Sequence, residues 1–162
     1  MRTPTRTREG WNRLAERRLE AILQAARSIA ALRKQGPRLT WKAGLRMVNN
    51  PEIKRLNSHF RGKNYATDIL SFPAPEPFRS AGHLGELVLS LPILKRQARE
   101  NKLKSEVELQ VLLVHGVLHL LGMDHEKSRK EALAMAKWEA RLLMDTGFRV
   151  EAGLTGLIDR NH

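Results

Sequence analysis

Cysteine is absent from the 162-residue chain, so disulfide bridges and thiolate metal sites are excluded, and a metal ion would have to be held by His, Asp or Glu. Six histidines are present, which narrows the search. No apolar run approaches the ~18 residues of a membrane-spanning helix, and the opening stretch MRTPTRTREGW lacks the apolar core of a secretory signal. The expected location is the cytoplasm, with no membrane as partner. Acids are also in short supply: 17 stand against 29 Lys and Arg, for a net charge of +12.

The excess is uneven. Residues 1–46 hold twelve Lys and Arg, among them Arg13, Arg17 and Arg18, against three acids, Glu9, Glu16 and Glu20. Such a field attracts polyanions, which makes these three arginines candidate nucleic-acid contacts. The same run on a solvated helix face would serve solubility alone. The length suits one domain with its own hydrophobic core. No repeat or linker divides it, so the reading is a basic polar tail over 1–10 and a single domain over 11–162.

Ala15, Leu19, Ile22, Ala26 and Ile29 recur at helical spacing and predict an amphipathic helix from about 11 to 34, stopped near Gly36-Pro37. Leu39 to Val48 reads as a strand. Asn50 and Pro51 then supply an N-cap and first-turn proline for a short helix with Ile53, Leu56 and Phe60 as its buried stripe. Thr67–Phe72 and Leu84–Leu89 read as strands around a proline-rich loop from Pro73 to Pro77, and a helix follows from Pro92 to about Asn101. Ser105-Glu106-Val107-Glu108 resembles a capping box opening a helix to Leu121 that is apolar on almost every side, hence central and buried. Ser128 and Glu131 form a second such box, with Leu133, Ala136, Ala140 and Leu143 along one face of a last long helix. The expected fold is α+β: a small mixed sheet packed against helices around a buried metal-binding helix.

His115 and His119 are four apart on that helix, which stacks both imidazoles on one face at a spacing that suits two neighbouring positions of a tetrahedral metal. Gly122 suits a left-handed stop, after which His125 can swing in as a third ligand. Three protein nitrogens leave the fourth position to solvent, the mark of a catalytic rather than a structural zinc. The alternative is three unrelated histidines, each needing its own polar partner in an apolar helix. H-x-x-x-H-x-x-G-x-x-H is also the spacing of a class of metalloproteases, but these need Glu after the first His as general base, and Gly116 stands there.

The stretch HGVLHLLGMDH, residues 115–125, resembles the metal-binding signature of the YbeY family of bacterial endoribonucleases. Leu56-Asn57-Ser58-His59-Phe60-Arg61, Thr67-Asp68-Ile69-Leu70-Ser71-Phe72-Pro73 and Leu84-Gly85-Glu86-Leu87-Val88-Leu89-Ser90 resemble further blocks of that family in the same order, so the likeness covers about residues 44–148. It implies a single-strand-preferring endoribonuclease with one zinc ion per chain. The implied partners are ribosomal RNA and ribosomal particles, and the implied roles are ribosomal RNA maturation and ribosome quality control. A ribosome-associated binding protein with a purely structural metal is a further reading, and would require a closed site.

The resemblance also implies that Arg61 faces the metal, where a guanidinium can hold a phosphate bidentately and stabilise transition-state charge. Asp124, beside the third ligand, either orients a ligand or takes a proton, or it caps a turn. Thr67, Asp68 and Ser71 are read as structural, and His59 and His83 as surface or cleft residues. Trp11, Trp41 and Trp138 are read as packing residues rather than base platforms. In one respect the chain departs: the family begins with a strand before its first helix, and Met1 to Gly10 carry no strand pattern.

Overall fold

The structure is a computed structural model, and it describes residues 5–149. Helix α1, Arg8–Ser28, starts where the Thr7 hydroxyl accepts the Gly10 amide at 3.1 Å, satisfying a first-turn donor. It begins three residues before the expected start at 11, inside the segment read as a polar tail. Arg8 is fixed there, donating to the Met47 carbonyl at 2.7 Å. The expected single helix to 34 is broken: Ile29 is extended (φ −86°, ψ 116°), and one turn, α2 (Ala30–Arg33), follows.

Strand β1 is Lys42–Val48, shorter than expected because Leu39 lies exposed in the preceding loop. Helix α3, Asn50–Arg61, is capped by Asn49, whose side chain accepts the Glu52 amide at 3.0 Å, not by Asn50 as expected. Asn50 instead accepts from the Ser90 hydroxyl at 2.6 Å. Strands β2 (Ile69–Pro73) and β3 (His83–Ser90) follow, and then α4, Leu91–Glu100, which is capped by Ser90. Helix α5 is Ser105–Leu120 and α6 is Arg129–Asp145. Lys104 rather than Ser105 caps α5, without a side-chain bond, while Ser128 caps α6 as read, accepting the Glu131 amide at 3.1 Å.

β3 is the middle strand of a mixed sheet, order β1-β3-β2, parallel to β1 and antiparallel to β2. Among the described residues no strand precedes α1. α5 crosses this sheet with every residue from Glu108 to Leu118 buried, and α1, α4 and α6 pack around it. Its contact with the sheet is close at Gly116: a Cβ there would lie 2.8 Å from Leu87 Cδ2 and 2.9 Å from Ile69 Cδ1. A second, small apolar cluster of Val48, Ile53, Leu70 and Val88 seats α3 on the other side of the sheet. None of the helices among the described residues is long and apolar enough to cross a membrane.

Candidate metal centre

The end of α5 builds the centre. Gly122, at φ +95°, takes the left-handed position, its amide bonding to the His119 carbonyl and the Met123 amide to the Leu118 carbonyl. This pair of bonds satisfies the last carbonyls of the helix and reverses the chain, so that the loop brings His125 back over the last turn. One ring nitrogen each from His115, His119 and His125 falls within 4.8 Å of the others. The Nε2 atoms of His115 and His119 are 3.0 Å apart, close to the ~3.3 Å expected of two nitrogens on one tetrahedral zinc. The donor set therefore fits a metal ion.

A partner that sequence reasoning missed fixes His115, the first candidate ligand. Glu139, on α6 and 5% exposed, lies with Oε1 2.6 Å from His115 Nδ1. A carboxylate on one ring nitrogen sets the tautomer and leaves Nε2 for the metal. Burial, with His115 and His125 beside it, lowers the His119 pKa from 6.5 to about 4. That ring is thus neutral near pH 7, the form that can ligate.

The histidines form one wall of a cavity of about 200 Å³, lined also by Arg61, Ile69, Ser71, Pro73, Asp124 and Glu126. Arg61 is the last residue of α3, and its guanidinium lies 3.9 Å from Glu126. Asp124 lines the cavity, and its Oδ1 accepts the Glu126 amide at 2.9 Å, the geometry of a turn-capping aspartate. Gly116 faces the sheet, so a Glu in its place would press against Leu87 and Ile69 instead of reaching the histidines.

With that geometry in hand, likeness to known proteins decides the family. The family model described as Endoribonuclease YbeY matches residues 6–147. The chain belongs to the YbeY family. It is 56% identical over 88 residues to Endoribonuclease YbeY of Bdellovibrio bacteriovorus, covering 54% of this chain and 56% of that one. Against Endoribonuclease YbeY of Anaeromyxobacter dehalogenans the identity is 41% over 133 residues, covering 82% and 65%. The chain thus spans less than two thirds of the length of these curated relatives. The solution structure of a Thermotoga maritima protein superposes with a TM-score of 0.56 at 29% identity, covering 83% of this chain and 82% of that one.

The remaining residues singled out in the sequence of this YbeY-family chain sort by environment. Asp68, 1% exposed, accepts the Ile69 amide at 2.7 Å, and Thr67 donates to it at 3.3 Å, so both brace the entry to β2 as read. Ser71, also read as structural, faces the cavity. His83 is exposed at the start of β3, and His59 is exposed on α3. Trp11 and Trp41 are buried, while Trp138 is partly buried against the core. In α1, Arg13 is exposed beside Glu9 at 2.6 Å and Arg17 is exposed. Arg18 is committed elsewhere: it donates to the Glu106 carbonyl and lies 5.0 Å from the Phe148 ring centroid.

Proposed function

We propose that this chain is a zinc-dependent endoribonuclease of the bacterial cytoplasm, with one ion per chain, that cuts single-stranded stretches of ribosomal RNA precursors. In this reading it serves ribosomal RNA maturation and ribosome quality control. The observation that carries the reading is a three-imidazole cluster lining a cavity that Arg61 also lines. Zinc bound there supplies Lewis acidity toward a phosphoryl oxygen or an activated solvent molecule. Arg61 holds the scissile phosphate and balances the charge that grows on it. Asp124 has one oxygen tied to the turn that carries His125, and so positions that ligand; its carboxylate also lines the cavity and is the proposed proton acceptor. Glu139 keeps His115 oriented.

The substrate class draws on the relatives' name, endoribonuclease, and on the +12 charge. Arg13 and Arg17 are the proposed outlying RNA contacts, while the bonds of Arg18 give it a mainly bracing role. A peptidase would have to recruit its base from elsewhere than position 116, where Gly stands, and the preference for RNA rests on the relatives' name and the basic charge.

The test is metal content and cleavage of a ribosomal RNA fragment, side by side, for the wild type, His119→Ala and Arg61→Ala. The proposal expects about one zinc and cutting in the wild type, loss of both in His119→Ala, and retained metal without cutting in Arg61→Ala. Metal-loaded wild type that leaves RNA intact would contradict it.

A further inference from the structure

Helical periodicity places Phe60 on the buried stripe of α3, yet its side chain is 59% exposed. Asn57 is buried in that stripe instead, donating from its amide to the Tyr65 carbonyl at 2.9 Å and closing the loop beyond the helix. Phe60 is nevertheless held: its ring meets Phe72 edge-on at a centroid distance of 5.1 Å and His59 at 4.6 Å. An exposed phenyl ring fixed by two aromatic neighbours is a pre-oriented apolar surface.

Its neighbours on either side are two concavities. Arg61, the next residue, lines the metal cavity, as do Ser71 and Pro73, which flank Phe72. His59, the preceding residue, lines a shallow groove of about 470 Å³ with Lys54, Arg55 and Ser58. Any chain that runs from the basic groove to the metal cavity along the end of α3 passes Phe60. Phosphates drawn to a basic groove, with a base stacked on an aromatic ring, are the common means of holding single-stranded nucleic acid.

From this juxtaposition, and resting on the ribonuclease reading above, we infer that Phe60 is a stacking platform for an unpaired nucleobase adjoining the scissile phosphate. The groove of Lys54, Arg55 and His59 takes the phosphates beyond it. A base within a duplex is already stacked and paired, so the platform selects single strands. Lys54 and Arg55 in the groove and Arg61 in the cavity suit an RNA strand better than an apolar protein surface.

The test measures binding of a 2′-O-methyl RNA oligomer carrying 2-aminopurine, read on mixing with zinc-loaded full-length protein, in single-stranded and duplex form. Wild type should quench the fluorophore on binding the single strand. Phe60→Ala should bind it roughly tenfold more weakly with zinc content unchanged. Phe60→Trp should restore binding and quenching, Phe60→Leu should not, and weak duplex binding should be equal in all four. Undiminished affinity in Phe60→Ala would overturn the platform and leave the ring to a protein partner. Full rescue by Phe60→Leu would also overturn it, because apolar bulk without a π face would then suffice. Wild type that binds no single-stranded RNA would instead overturn the ribonuclease reading on which the platform rests.

Discussion

Two helix ends meet at the cavity, and they are built on opposite terms. α5 delivers His115 and His119 from the centre of the core: its residues from Glu108 to Leu118 are buried, and Glu139 of α6 holds His115. α3 delivers His59, Phe60 and Arg61 from the surface, seated by a small cluster of four buried apolar residues. Metal ligation tolerates little positional error, and two of the three candidate ligands stand on the deeply buried α5. Contacts with a phosphate and a base can be made by a long guanidinium and an exposed ring, and they stand where a flexible polymer can arrive. On the proposed reading, the buried end fixes geometry and the exposed end captures the strand.

Breaking the support of the buried end should have the largest effect. Glu139→Gln is expected to lower metal affinity by roughly 10- to 100-fold, read by competition with a chromophoric chelator. Unchanged affinity would mean that packing alone orients His115.

Acid should expose the same half. In the folded, metal-free protein the His119 pKa lies at about 4, against 6.5 for the free side chain. The folded state thus resists protonation, and the unfolded chain takes up the proton first. Stability is fully present above pH 6.5 and should decline as pH falls from there toward 4, tracked by urea midpoints of the metal-free protein. His119→Gln should flatten that decline, and an equally steep curve in the variant would assign it to other groups.

Smaller effects separate bound from solvated charge. Arg18→Ala should cost about 1–2 kcal/mol in urea denaturation, because it removes a charged donor from the Glu106 carbonyl. Arg13→Ala should stay within about 0.5 kcal/mol, its partner Glu9 being exposed. At the exposed end, Glu126→Ala removes a pair at 3.9 Å from Arg61 and should shift stability by less than about 0.5 kcal/mol. A larger loss would show that the rim of the cavity is braced more firmly than its exposure implies.

The difference between the two ends also governs what was legible in the sequence. His115, His119, Gly122 and His125 could be read because helical spacing and a left-handed stop are local properties. The burial of α5 was equally plain from its continuous apolar composition. Glu139 was not legible: between Lys137 and Arg141 it looks like one more solvated charge, and only the packing of α6 on α5 turns it inward. Phe60 was misread because periodicity says which face it shares with Ile53, not how far the supporting cluster extends, and that cluster stops short of the last turn. The break at Ile29 and the capping of α5 by Lys104 were missed for a related reason, since tertiary contacts outweigh weak local preferences. The placing of β3 between β1 and β2 is a long-range pairing to which no local pattern refers.

The most direct test of the central claim is removal and return of the metal. Chelator-stripped protein should leave a single-stranded ribosomal RNA fragment uncut, and about one equivalent of zinc per chain should restore cutting to the untreated rate. Cleavage that continues undiminished in fully stripped protein would contradict a metal-dependent ribonuclease built on His115, His119 and His125.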